Sequence, residues 1–187
     1  LNYNDSVSSV SSVRALAGTG ATISKIVGGT SHTCALYSTG SVKCWGYGFY
    51  GQLGNGGNTD STTPVAVGGI TTATDVAAGA NHTCAILANN RAYCWGADNS
   101  GQLGDNAALT NSNSPVQVGL YTDFTQIAAG GDATCARRSG GTLVCWGHDL
   151  EGANGNNAAF TNNATPVTVS GLTGMTDVSV GRGHACG

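Results

Sequence analysis

Short apolar segments separated by polar turns recur along the chain at intervals of about fifty residues. In the second copy, strands are predicted at 75–78, 83–87 and 91–95, and a last short strand at 116–118 follows Pro115. These segments alternate or cluster apolar residues as β-strands do. Because four short strands per unit are typical of a propeller blade, the sequence predicts an all-β chain of four-stranded antiparallel β-propeller blades.

Marker residues repeat in one register, and they define the organisation of the chain. The first cysteines of the units are Cys34, Cys84, Cys135 and Cys186, spaced 50, 51 and 51 residues apart. A Trp-Gly pair, a proline and a glycine recur with the same spacing. We therefore expect a polar N-terminal segment at 1–12 and propeller repeats at 13–187, with hairpin units near 29–46, 79–96 and 130–147 and a partial unit from 181.

The cysteines are placed to bridge the two strands of each hairpin. With Cys34 opposite Cys44, the turn is a three-residue loop that ends at Gly40, where a left-handed residue is needed. The cysteines then form a non-hydrogen-bonded pair, whose Cα atoms lie about 4.5 Å apart. The predicted disulfides are Cys34–Cys44, Cys84–Cys94 and Cys135–Cys145, and Cys186 has no mate in the chain. Zinc is the alternative, but paired zinc ligands are spaced more closely.

Composition and cysteine pairing limit the cellular compartments and the classes of partner that suit the chain. Only 9% of residues are charged, the formal net charge is −3, and seven Lys and Arg residues cannot easily build a basic face for nucleic acid. No apolar run approaches the roughly 18–20 residues that span a bilayer. Stable disulfides imply an oxidising setting, so we expect an extracellular or cell-surface protein without membrane insertion. The chain starts at Leu1, which indicates processing or a missing segment.

Two sequence blocks resemble a known repeat. Cys44-Trp45-Gly46 is followed by GQLG at 51–54, and the same order recurs at 94–96 and 101–104. Together with the later P-V-x-V and G-x-x-H-T-C-A segments, this resembles the repeat of the regulator of chromosome condensation family, over about 13–187. The third copy departs from it at 151–154, which reads EGAN. The paired cysteines are similar to those of secreted bacterial members.

The resemblance implies a seven-bladed propeller, which would need about 357 residues at this repeat length. The chain would then hold an incomplete ring. Three explanations stay open: a fragment of a longer propeller, several copies that complete one ring, or open blade edges that join chains into a fibre. The family includes a nuclear exchange factor that binds chromatin and a secreted β-lactamase inhibitor that uses loop aromatics, so the resemblance implies fold more firmly than role.

The loop after each Trp-Gly differs most between copies and is the candidate binding surface. Its candidate residues are Tyr47, Phe49, Tyr50, Asp98, His148 and Asp149. The aromatic residues would either anchor a protein partner or pack on the neighbouring blade. His148, Asp149 and Glu151 would either form a solvated loop or hold a cation or an acid–base pair.

Other motifs carry a structural interpretation. His32, His82 and His184 share one repeat position and are expected to be buried and hydrogen-bonded to backbone. The GYGFYG segment at 46–51 matches the G-x-G-x-x-G pattern of dinucleotide-binding sites. The residues that follow cannot begin a stable helix, which that site needs, so we expect a β turn. Asn4, Asn81 and Asn163 begin acceptor patterns for N-glycosylation.

These observations predict a role without catalysis and without a cofactor. No nucleophile or metalloprotease motif is present in the sequence. We expect an extracellular structural or binding module, self-assembling through blade edges or binding another protein. The alternative is a secreted inhibitor or binder of one enzyme or surface ligand through its loop face.

Overall fold

The computed structural model describes residues 20–149, 152–158 and 161–187. Three four-stranded antiparallel sheets follow one another along the chain, each with its strands in sequence order. The first sheet contains β1 Ile23–Gly28, β2 His32–Tyr37, β3 Val42–Gly46 and β4 Ser61–Ala66. The second contains β5 Ala73–Ala78, β6 His82–Leu87, β7 Ala92–Gly96 and β8 Ser112–Gln117. The third contains β9 Phe124–Gly130, β10 Ala133–Arg138, β11 Leu143–Gly147 and β12 Asn163–Thr168, and a short pair, β13 Ser179–Val180 and β14 Ala185–Cys186, follows it.

The sheets stand side by side as propeller blades. Strand β5 contacts both β1 and β9, and β13 contacts β9, so the first strand of each sheet lies on the inner side of the assembly. The described blades do not close into a ring. The predicted all-β blade architecture is confirmed. Of the predicted divisions, 1–12 and the beginning of the first unit up to residue 19 lie outside the described residues.

The outer strand of each blade is longer than the prediction. The pattern that predicts a strand at 116–118 after Pro115 predicts one at 65–67 after Pro64 in the first copy, whereas β4 begins at Ser61. Ser61 pairs with Gly46, and a register irregularity separates this pair from Cys44 opposite Val65. The early part of the strand carries Ser and Thr side chains on an exposed edge, so it lacks the apolar pattern that predicts a strand.

The hairpin at the centre of each blade has the predicted register and disulfide. Cys34 faces Cys44 in the strand pairing, their Cα atoms are 4.1 Å apart, and the sulfurs are bonded. The other two predicted pairs, Cys84–Cys94 and Cys135–Cys145, are also bonded. The third turn residue has a positive φ in every copy, at Gly40, Asn90 and Gly141. Cys186 is a free, exposed cysteine.

Removing one hairpin disulfide should destabilise the chain measurably. The Cys84→Ala/Cys94→Ala double variant is expected to lose about 2–3 kcal/mol of unfolding free energy, because closing a ring of this size restricts the unfolded chain. Both cysteines are fully buried, so alanine also leaves a small cavity. Urea unfolding without reductant measures the loss. Cys186→Ser is the control and should leave the midpoint unchanged; an unchanged midpoint in the double variant would contradict the prediction.

Neighbouring blades are joined by a repeated polar network around a tryptophan. The backbone carbonyl of Gln52 accepts hydrogen bonds from Trp95 Nε1, at 2.9 Å, and from Thr83 Oγ1, at 3.0 Å. His32 Nε2 lies 2.8 Å from Thr83 Oγ1. The next interface repeats these contacts with Gln102, Trp146, Thr134 and His82. Each blade therefore presents a carbonyl and an imidazole to the blade that follows it.

The histidine prediction needs correction in one respect. Nε2 of His32 and Nε2 of His82 each bond a threonine side chain of the next blade instead of backbone. The physical reason is that each ring lies over a glycine three residues earlier and points across the blade interface. Burial lowers the pKa of His32 to about 4. Burial is also the main cause that lowers the pKa of His82 to about 3, and repulsion from a protonated His32 adds to it, so both rings are neutral at pH 7. His184, at the same repeat position, is exposed.

Candidate binding surface

The blades have two different ends. Strand β3 ends at Gly46, which pairs with His32 at the beginning of β2, so the β1–β2 turn and the long β3–β4 loop lie at the same end. We call this end the loop face. It carries the β3–β4, β7–β8 and β11–β12 loops, at 47–60, 97–111 and 148–162. The short β2–β3, β6–β7 and β10–β11 hairpin turns lie at the opposite end.

The long loops begin with a tightly bonded turn. In the first blade, Gly51 N donates to Gly48 O and Gly54 N donates to Gly51 O, with φ of 85° and 66° at the two donor glycines. The amide oxygen of Gln52 accepts from Tyr50 N at 2.9 Å, and Leu53 is fully buried. The GQLG motif therefore fixes the backbone of the loop and presents the preceding residues at the surface. The GYGFYG segment is such a loop and no helix follows it.

Three aromatic residues of the first loop form one cluster, which we call the aromatic cluster. The ring centroids of Tyr47 and Phe49 are 6.2 Å apart, and Tyr50 contacts both in edge-on geometry, at 6.1 Å and 5.2 Å. Phe49 is 61% exposed, while Tyr47 and Tyr50 are half-buried. The rings thus contact one another and leave most of Phe49 open to solvent.

Asp98 and Asp149 lie inside their loops. Each is only 1% exposed. Asp98 Oδ1 accepts from Leu103 N at 2.9 Å, and Asp149 Oδ1 accepts from Asn154 N at 2.8 Å. Their own backbone N–H groups are held by the side chains of Asn111 and Asn162. Each of these carboxylates stabilises the fold of its own loop, whereas the aromatic cluster of the first loop is exposed to solvent.

The first blade reverses this arrangement. Gly48 takes the place of the buried aspartate, and Gly48 N donates to Asp60 Oδ1 at 2.9 Å. Asp60 is exposed and brings a carboxylate to the aromatic cluster. It is absent from the residues predicted from sequence. A comparison of the first two repeats could have identified it: Gly48 stands where the second copy has Asp98, and Asp60 stands where it has Asn111.

Burial should make the stability of the chain depend on the ionisation of Asp98. Burial raises the pKa of Asp98 from its ordinary 3.8 to about 6. Between these values the folded chain binds more protons than the unfolded chain, so this group's contribution is most favourable in acid and is lost as pH rises to about 6. Asparagine does not ionise, so Asp98→Asn removes this loss. We expect the variant to have a free energy of unfolding about 1–2 kcal/mol higher than wild type at pH 7.5, which is less than the full pKa shift corresponds to because the loop is polar.

Chemical denaturation at a series of pH values measures this effect. Asp60→Asn is the matched control, since it removes an exposed carboxyl from another loop. If Asp98→Asn kept the wild-type slope between pH 4 and pH 6, Asp98 would not be the group responsible.

A groove of about 1130 Å³ opens beside the loops, where the inner strands end. Its walls are the glycine-rich β1–β2, β5–β6 and β9–β10 turns, with His148 and Arg182 among the lining residues. His148 is held at the rim by its backbone N–H, which donates to Asp132 O at 2.9 Å. Hence His148 lies beside a groove lined mainly by glycine and alanine, at the repeat position that Tyr47 occupies in the first blade.

Two of the three predicted glycosylation residues, Asn81 and Asn163, lie within the described residues. The side-chain amide of Asn163 donates to Thr161 O at 2.9 Å. Asn81 is half-buried at the groove. Asn4 and Glu151 lie outside the described residues. In the described part of the chain, no group of three or more His, Cys, Asp or Glu side chains is placed to hold a metal ion, and no helix has the length and apolar character to cross a membrane.

Comparison with known proteins gives the family. The sequence profile of the Regulator of chromosome condensation (RCC1) repeat matches residues 23–52, 73–102 and 124–153, and a second profile of the same repeat matches 39–86 and 89–137. No curated protein sequence matches the chain.

Solved structures agree on the fold. Human WBSCR16 superposes with a TM-score of 0.76 at 22% identity, over 86% of this chain and 43% of that one. Yeast RCC1 (Prp20) bound to Kap60 gives 0.73 at 22%, over 88% and 41%. Prp20p from Saccharomyces cerevisiae, described with its binding properties to Gsp1p and histones, gives 0.73 at 21%, over 87% and 42%. The chain thus spans less than half the length of these structures, which share its fold, and the match of the repeat profile over more than half of the chain shows that it belongs to the RCC1 repeat family.

Proposed function

We propose that the chain is a non-enzymatic protein-binding module of an extracellular protein, and that it contacts its partner through the loop face. The observation that carries this proposal is the aromatic cluster, with Phe49 61% exposed on a loop that is otherwise tightly bonded. Rigid exposed aromatic residues are the side chains that most often anchor protein interfaces.

Family and chemistry support the proposal. Among the solved structures with this fold, yeast RCC1 is described bound to Kap60, and Prp20p with binding to Gsp1p and histones, so these two proteins bind other proteins. The three buried disulfides fit an oxidising, extracellular setting. The loop turns place the contact residues on backbone that is already ordered, which reduces the entropic cost of binding.

Site-specific photo-crosslinking tests the proposal. The photoreactive residue p-benzoylphenylalanine replaces Phe49 in one sample and Leu120, which is 89% exposed at the opposite end, in the control. Both are incubated with the extracellular fraction of the producing organism, and adducts are identified by mass spectrometry. We expect one adduct that forms from the Phe49 position alone and is competed by unlabelled wild-type chain, with much weaker competition by Phe49→Ala.

The identity of the adduct separates the alternatives. One soluble enzyme would indicate a secreted inhibitor, whereas further copies of this chain would indicate a self-assembling structural module. Equal capture from Leu120 and Phe49, or competition that Phe49→Ala performs as well as wild type, would refute binding through the loop face.

A further inference from the structure

Charge is placed differently in the first loop from the equivalent loop of the second blade. In the second blade, the carboxylate belongs to buried Asp98 and the exposed partner is the neutral Asn111. In the first blade, Gly48 has no side chain and the exposed partner, Asp60, carries the charge. In both blades a backbone N–H, of Gly48 or of Asp98, donates to the side-chain oxygen of the exposed partner. The exchange keeps this bond, gives up the bond that Leu103 N donates to Asp98 Oδ1 in the second blade, and moves a negative charge from the interior to the surface.

The exposed carboxylate is fixed beside the aromatic cluster. Gly48 lies between Tyr47 and Phe49 in the chain, so its hydrogen bond to Asp60 Oδ1, at 2.9 Å, joins the carboxylate to the backbone of the cluster. Asn58 Nδ2 also donates to Phe49 O, at 3.0 Å, and ties the far side of the loop to the same backbone. Only Oδ1 of Asp60 has a hydrogen bond within the described residues, which leaves Oδ2 available to a ligand.

A carboxylate beside aromatic rings favours a cation. The face of an aromatic ring carries negative electrostatic potential and attracts ammonium and guanidinium groups. A carboxylate oxygen accepts a charge-assisted hydrogen bond from the same groups. Apolar contact with Phe49 suits the methylene stem of a Lys or Arg side chain. The arrangement thus matches a long cationic side chain in its charge, its polar contact and its apolar contact.

Acidic side chains outnumber basic ones among the other described residues of the loop face. Asp105 and Asp132 also lie on this face, and Arg182 is the one Lys or Arg residue at this end among the described residues. Lys25 and Arg138, away from this face, are paired with aspartates. An acidic surface steers a basic partner toward it and disfavours an acidic one.

We infer that Asp60 and the aromatic cluster bind an arginine or lysine side chain of the partner protein. This inference rests on the proposed function and adds the chemistry of the contact. Asp60 accepts the hydrogen bond through Oδ2, and Phe49 with its neighbouring tyrosines covers the side chain.

Peptide titration followed by NMR tests the inference on the isolated chain. The probes are acetyl-Gly-Arg-Gly-amide and the same peptide with citrulline, a neutral residue of nearly the same shape. We expect the arginine peptide to shift the amide resonance of Gly48 saturably and the citrulline peptide to bind about tenfold more weakly. Raising the ionic strength from about 0.05 M to about 0.5 M should weaken the arginine peptide further.

Asp60→Asn is the decisive variant, because its side-chain oxygen can still accept from Gly48 N and preserve the loop. It should abolish the preference for arginine over citrulline. Asp105→Asn, in the second loop, is the matched control and should retain it. Equal binding of the two peptides to wild type, no saturable shift with either, or an unchanged preference in Asp60→Asn would each overturn the inference.

The two proposals can fail separately. If Asp60→Asn captures the same crosslinked partner as wild type with equal yield, the cationic contact is refuted and binding through the loop face stands. If no partner is captured from the Phe49 position, the proposed function fails whatever the peptides do.

Discussion

Replacing Trp146 with alanine is expected to lower the free energy of unfolding by about 3–5 kcal/mol. The side chain is fully buried between the second and third blades, and its indole N–H donates to Gln102 O at 2.9 Å. Alanine removes the packing of a large ring and leaves that carbonyl with only the Thr134 hydroxyl, at 3.2 Å. Both losses act at one interface, so the effect should exceed that of removing a disulfide.

Equilibrium unfolding in urea, followed by far-ultraviolet circular dichroism, measures this loss. Trp45→Ala is the matched control, since Trp45 has the same repeat position but is only half-buried in the described structure. It should cost less than half as much as Trp146→Ala. Equal losses at the two positions would show that packing between blades is not the dominant contribution of Trp146.

The second large effect is expected from Gly104→Ala. The new Cβ would lie 2.6 Å from Trp146 Nε1 and 2.8 Å from Cδ1, and Gly104 has a φ of 68°. The indole is rigid and buried, so it cannot move aside without breaking its bond to Gln102. The strain and the overlap together should cost about 3 kcal/mol or more.

Gly171→Ala separates the cost of the left-handed backbone from the cost of overlap with the indole. Gly171 has a similar φ of 74°, but nothing lies within 4 Å of an added Cβ. Its variant should lose only about 1 kcal/mol, the cost of a left-handed alanine. The difference between the variants measures the overlap with Trp146. If both lost the same free energy, the close approach of Gly104 to the indole would have no energetic weight.

The hairpin geometry is the part of the fold that could be predicted from sequence. A cysteine pair ten residues apart, with Gly or Asn at the last turn position, is compatible with one register, and the register places both sulfurs within bonding reach. The blade assignment follows from the same repeat. These features depend on residues near one another in the chain, so local chemistry is sufficient to predict them.

Contacts between blades could not be predicted in the same way. The bond from His32 to Thr83 joins residues 51 positions apart, and nothing in either local pattern indicates the partner. The same limit applies to the loop residues. Asp98 and Phe49 lie in variable, surface-type sequence, yet one is 1% exposed and the other 61%. Their burial depends on how each loop folds back on itself.

A shift of one residue also changes which side chain is buried. Ile70, six residues after Pro64, is 3% exposed, whereas Leu120, five residues after Pro115, is 89% exposed. In that blade Tyr121 packs against Phe124 instead, with ring centroids 5.5 Å apart. An apolar residue at nearly the same repeat position is therefore insufficient evidence for a core residue.

The buried hairpin disulfides also affect how the chain would respond to mechanical tension. Each disulfide joins two cysteines ten residues apart, so the segment between them cannot extend under force. A blade that unfolds under tension would lengthen only by the chain outside its disulfide. Blades that contact only their neighbours would yield one after another, and each rupture would release the same limited length. A protein built from such units would extend in even steps and keep its central hairpins closed.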